Sequence, residues 1–128
     1  ARLAVWLLKH IPIVRKRHIH PHGYGFANAG QVCISAQRII TSDKIYADYL
    51  DALKAGVEGI STGDPLQEGV GMGPMVRAED AVRVNEWIKE AVGGGARTLV
   101  GGEYSGTMHA PTVVADVKPE MRVSCEEL

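Results

Sequence analysis

Residues 30–41 read GQVCISAQRIIT, and this stretch decides the architecture. A glycine and a run of small residues lead into Arg38-Ile39-Ile40, which the pattern predicts as a short strand closed by the turn formers Thr41-Ser42-Asp43. Downstream, Ile45, Tyr46, Tyr49, Leu50, Leu53, Val57 and Ile60 recur at three- and four-residue spacing. That spacing predicts a helix with one buried face, capped by Ser42 or Asp43. From Thr62 to Pro74 the chain holds too many glycines and prolines for regular structure and reads as a long surface loop, a kind of segment that often carries function. A second helix is predicted from Arg77 to Val92, striped by Ala81, Val84, Ile88 and Ala91 and stopped by Gly93-Gly94-Gly95. Thr98-Leu99-Val100 and the stretch from Pro111 to Val117 read as strands. Strand, helix, helix, strand, strand is the order of an α/β fold.

Upstream of this unit the character changes near Gly25. Residues 1–42 contain no Asp or Glu, while Arg2, Lys9, Arg15, Lys16, Arg17 and Arg38 are basic. Pro12 and Pro21 interrupt any long helix, so residues 1–25 read as irregular, with room for one short helix. Residues 1–24 form an atypical basic, histidine-containing leader, and residues 25–128 form the α/β unit. The leader's basic cluster follows its apolar run, an order opposite to that of a secretory signal. No segment approaches the roughly 20 apolar residues needed to cross a bilayer.

With 128 residues, 45% of them hydrophobic and 23% charged, and a net charge of -1, the composition is that of one soluble globular domain. It excludes a disordered chain and gives no global bias toward nucleic acid. Arg15-Lys16-Arg17 has no aromatic stacking surface beside it and reads as a solvated patch. His18, His20 and His22 would share one face of an extended strand and offer imidazoles to Zn, Ni or Cu. No fourth ligand stands at a telling distance, so they read as exposed histidines and no metal is expected. Two cysteines give no disulfide framework, which points to a reducing, cytoplasmic compartment.

Cys33 is the candidate for chemistry. A thiol reacts as the thiolate, which backbone N–H groups and cations stabilise. Gly30 allows a tight bend and close approach of a substrate, Ser35 and Ala36 leave room, and Arg38 brings positive charge nearby in sequence. A free cysteine is also a good small hydrophobe, so a buried packing role stays open on these grounds. The same packing role suits Cys125, and Trp87 suits a core or interface position on its helix.

The segment Gly25-Phe26-Ala27-Asn28-Ala29-Gly30-Gln31-Val32-Cys33-Ile34-Ser35-Ala36-Gln37-Arg38 resembles the nucleophile segment of the aldehyde dehydrogenase superfamily, which carries N-x-G-Q-x-C there. Gly63-Asp64-Pro65, Gly73-Pro74, Trp87-Ile88, Gly95-Ala96, Gly101-Gly102, Pro111-Thr112 and Cys125-Glu126-Glu127-Leu128 follow in the family's order. The resemblance covers about residues 25–128 and implies part of that family's catalytic domain, a Rossmann-like open sheet with flanking helices. It implies oxidation of an aldehyde to a carboxylic acid with NAD or NADP as cofactor. Cys33 would attack the aldehyde carbon, the thiohemiacetal would lose hydride to the nicotinamide, and water would release the acid from the thioester. The Cys33 backbone N–H matches one donor of the oxyanion hole, and Glu127 matches the glutamate that hydrogen-bonds the nicotinamide ribose.

Three of the family's features have no counterpart in these residues: the dinucleotide-binding glycine turn, the oxyanion asparagine and the oligomerisation strands. The general-base glutamate of its E-L-G-G segment has none either, since no acid precedes Asp43. The chain is therefore expected to be inactive by itself. The alternative is a non-catalytic binding or assembly module that self-associates through bare strand edges, and a homo-oligomer is expected.

Overall fold

The computed structural model describes residues 2–5, as backbone, and residues 25–126. Four strands, β1 (Arg2–Val5), β2 (Arg38–Thr41), β3 (Arg97–Val100) and β6 (Val113–Ala115), form one open sheet in the order β2-β1-β6-β3. A two-stranded ribbon pairs β4 (Tyr104–Ser105) with β5 (Met108–His109). Three helices accompany them: α1 (Tyr46–Glu58), α2 (Ala78–Gly93) and the one-turn α3 (Arg122–Cys125). Mixed strand and helix around an open sheet is the expected α/β class. All strand pairings described in the sheet are antiparallel, unlike the parallel ladders of a dinucleotide-binding sheet.

β6 explains where the core lies. Val113, Val114 and Ala115 are all buried, as suits a strand with neighbours on both edges and cover on both faces. Leu53 and Val57 of α1, Val84 and Ile88 of α2, and Phe26 pack into the same cluster as Val113 and Val114. Each fully buried valine or leucine contributes about 1.5–3 kcal/mol relative to an exposed one. Both long helices touch β3, and α2 also touches β4, β5 and α3.

The second helix follows its predicted stripe, with Ala81, Val84, Ile88 and Ala91 buried together with Asn85 and Trp87. Glu79 and Asp80 in its first turn suit the positive end of the helix dipole. Its end closes in a Schellman pattern: the Ala96 N–H donates to Ala91 O and the Gly95 N–H to Val92 O, each at 3.0 Å. Beyond β3, Gly101 is required. Its φ is +73°, and a Cβ there would lie 2.2 Å from Pro111 O.

Three local readings differ from the structure. Arg2–Val5, read as irregular, pairs antiparallel with β2 from Arg2–Thr41 to Val5–Arg38, because strand pairing overrides a weak local pattern. The first helix begins at Tyr46, with Ile45 in the N-cap position in place of Ser42 or Asp43. The intervening turn, in which the Ile45 N–H donates to Ser42 O, takes Ile45 off the buried face and leaves it exposed. The strand expected over 111–117 shrinks to Val113–Ala115, since Pro111 has no N–H to give and Asp116 turns away at φ 57°. Among the described residues no helix is long and apolar enough to cross a membrane.

Candidate active site

The segment carrying Cys33 is built around a left-handed turn. Phe26 is buried in the core and anchors it, after which Asn28 (φ 50°), Ala29 (φ 53°) and Gly30 (φ 77°) run consecutively through positive φ. Glycine enters this region freely and asparagine tolerates it, but an ordinary L-residue such as alanine gives up about 1–2 kcal/mol. The turn is held by hydrogen bonds converging on Gln31. Its N–H (3.0 Å) and its side-chain Nε2 (3.1 Å) both donate to Asn28 O, while its Oε1 accepts the Val76 N–H at 3.0 Å.

A second bend follows, in which the Ser35 N–H donates to Val32 O at 2.8 Å. Cys33 and Ile34 occupy its tip and are exposed, whereas Ser35 and Ala36 are buried beneath. The buried packing role for Cys33 therefore does not hold. Among the described residues, the Cys33 N–H has no hydrogen-bond partner.

Arg38 does not direct its charge to the sulfur. Its Nη1 donates to Ser124 O at 2.6 Å, tying the strand after the nucleophile segment to α3. Cys125, expected to pack, is exposed, with its Sγ 3.7 Å from Glu120 O. Trp87 is buried as expected, with the guanidinium of Arg122 over its ring at 4.5 Å and that of Arg83 at 5.5 Å. Glu127, the expected ribose ligand, lies outside the described residues, as do the basic run 15–17 and His18, His20 and His22.

The Gly/Pro-rich loop is ordered by its own hydrogen bonds. Ser61 gathers its neck: the Gly71 and Met72 N–H groups donate to Ser61 O, the Gly71 N–H also reaches the Ser61 Oγ, and that hydroxyl donates to Gly69 O. Met75 N–H then donates to Thr107 O at 2.8 Å, so the end of the loop lies against the β4–β5 ribbon. Between the loop, α2 and the nucleophile segment is a cavity of about 120 Å³, walled by Phe26, Ala29, Gly30 and Gln31 on one side and by Met72, Met75 and Val84 on others. Cys33 is not part of that wall.

Two residues escaped the sequence reading. Gln31 joins the turn to the loop across 45 positions, a link that local pattern cannot reveal, although Asn28 and Gly30 already marked positive φ. His109 is 5% exposed, stacked on Tyr104, with its Nδ1 2.9 Å from Ala110 O.

Known proteins resemble this chain in sequence and in fold. The family model described as the aldehyde dehydrogenase family matches residues 22–128. The 3-sulfolactaldehyde dehydrogenase of Priestia aryabhattai is 43% identical over 103 residues, 80% of this chain and 22% of that protein. The NADP(+) succinate-semialdehyde dehydrogenase of Escherichia coli is 36% identical over 105 residues, again 80% of this chain and 22% of the relative. The crystal structure of an aldehyde dehydrogenase from Brucella melitensis biovar abortus superposes with a TM-score of 0.76 at 33% identity, over 80% of this chain and 21% of that one. The chain thus spans about a fifth of the length of the relatives it matches. By sequence and by fold, it belongs to the aldehyde dehydrogenase family.

Proposed function

We propose that Cys33 is the nucleophile of an aldehyde-oxidising site, and that these residues supply the half of that site which captures the aldehyde. The observation that carries the reading is the exposed thiol on the bend at Val32–Ser35, directly after a left-handed turn, with its own N–H unpartnered among the described residues. The thiolate forms a bond to the aldehyde carbon as the carbonyl π pair moves onto oxygen. That oxygen then accepts the Cys33 N–H and takes a proton from water, giving a thiohemiacetal. Small neighbours and an open bend give a substrate access to the sulfur. The substrate class is a small aldehyde, as the names of the relatives suggest.

A bound NAD or NADP would supply a hydride acceptor for such an adduct. The described residues do not fit that group: the connection from β2 to α1 runs Ser42-Asp43-Lys44-Ile45, without the glycine turn that receives a pyrophosphate. The proposed ribose contact, Glu127, lies beyond them. We therefore take the chemistry of this chain as far as the thiohemiacetal and expect no dinucleotide reduction from these 128 residues alone.

Competition with iodoacetamide tests the reading, because Cys125 is an exposed thiol in the same molecule and serves as an internal control. Benzaldehyde is expected to protect Cys33 at concentrations about tenfold lower than Cys125, a difference of about 1.4 kcal/mol in adduct stability. Equal protection of the two thiols, measured by mass spectrometry of the alkylated peptides, would remove the assignment.

A second reading, an assembly module, is favoured by one observation. β2 is an edge strand of the described sheet, and Ile40 on it is 71% exposed. Such an edge supports a homo-oligomer.

A further inference from the structure

Three consecutive residues at positive φ, one of them alanine, are uphill and persist only where surrounding contacts over-determine them. Neither Asn28 nor Ala29 supplies that constraint through a strong side-chain bond. Ala29 has only a methyl group, and the Asn28 Nδ2 stands 3.5 Å from Gln31 O, at the limit of a hydrogen bond. Among the described residues, the polar contacts of Asn28, Ala29 and Gly30 all involve Gln31. Its main-chain N–H and its Nε2 close the turn on Asn28 O, and its Oε1 accepts the Val76 N–H. One residue thus closes the turn through main chain and side chain together, and its side chain moors the turn to a loop that is itself tied to Thr107.

We propose that Gln31 is a positioning residue for Cys33: by bridging Asn28 O and the Val76 N–H, it holds the left-handed turn that presents the thiol, and makes the end of the 62–76 loop part of the site's support. The inference rests on the reading of Cys33 as nucleophile and adds to it a residue that touches neither sulfur nor substrate. Only Val32 lies between Gln31 and Cys33, so a change of hand at 28–30 redirects the bend at Val32–Ser35. The amide is chemically specific to the task, since it donates and accepts at once. Methionine matches its length with neither function. Glutamate keeps the acceptor for Val76 and loses the donor to Asn28.

The test compares Gln31→Met and Gln31→Glu with the parent chain by two readouts. The first is amide exchange at Val76 and the backbone shifts of residues 28–30, which report the clamp whether or not the thiol reacts with aldehydes. Gln31→Met is expected to speed Val76 exchange at least about tenfold and move the three shifts, and Gln31→Glu to restore the Val76 protection to within about threefold. The second is benzaldehyde protection of Cys33 against Cys125. It is expected to weaken about tenfold at Cys33 in Gln31→Met, to recover only in part in Gln31→Glu, which lacks the donor to Asn28 O, and to stay constant at Cys125. Unchanged Val76 exchange in Gln31→Met overturns the clamp. A freed Val76 with parent-like shifts at 28–30, or with parent-like protection of Cys33, overturns the positioning role. Failure of the parent chain to protect Cys33 selectively would count against the nucleophile alone, because exchange and shifts still decide what Gln31 holds.

Discussion

At the scale of single residues, polar contacts gather at Asn28 and at Asp116, two described residues whose backbone has positive φ. Asp116, at φ 57°, shows this outside the site: the Tyr46 hydroxyl donates to its Oδ1 at 2.8 Å, its own N–H donates to that hydroxyl at 3.1 Å, and Arg97 Nε pairs with its Oδ2. Burial, and then the hydrogen bond to Asp116, raise the Tyr46 pKa above its ordinary value of 10.0. A raised value favours the protonated hydroxyl, so its contribution is fully present below about pH 10 and is lost as pH climbs through the folded value. Tyr46→Phe should therefore cost about 2 kcal/mol near neutrality, as for a hydrogen bond to a charged acceptor. Its melting temperature should then fall less steeply than that of the parent as pH rises above about 10. Parallel melting curves across that range would refute the assignment. Tyr49, raised by burial, titrates in both proteins and cancels from the comparison. The neighbours of Cys33 left its exposure open, and the aim of Arg38 was not legible. Sequence proximity suggested the sulfur, and the fold sends the guanidinium to Ser124, 86 positions away.

At the scale of elements, helix stripes and glycine stops were readable because they depend on near neighbours. The stripe of α2 and its Schellman ending match the pattern in the sequence. The start of α1 does not, because a turn at Ser42 displaced the expected cap. Strand limits were less legible, since they depend on partners far along the chain. β1 could not be read from Arg2–Val5 alone, and Asp116 truncates β6 for reasons that are tertiary. The approach of Gly101 to Pro111 gives a sharp test of how the end of β3 meets the start of β6. Gly101→Ala places a methyl carbon 2.2 Å from Pro111 O at a positive φ. A loss of about 3 kcal/mol in denaturant unfolding is expected, from strain and overpacking together. A loss below about 0.5 kcal/mol, the size of a neutral surface change, would show that the two backbones are not in contact.

At the scale of the whole molecule, the chain is a portion of a larger architecture with its own core. Antiparallel strands, two long helices and a self-bonded loop bury Val113, Val114, Val57 and Ile88 together. The family was legible in the sequence because its glycines and prolines mark turns in a fixed order. The exposure of Ile40 and of Ile34 (73% exposed) was not, since they reveal themselves as surface only in the fold. If β2 is a bare edge, light scattering should show concentration-dependent association, and Ile40→Lys should raise the concentration at which it sets in by at least about tenfold. A parent chain that remains monomeric at all concentrations would exclude the edge as a contact. The loop from Ser61 to Met72 has a further consequence for engineering. Because its neck is fastened at Ser61, the tip between Leu66 and Gly69 can be opened without disturbing what the neck holds apart. New chain termini, or a grafted peptide, placed at Glu68 should leave both the sheet and the sulfur where they are.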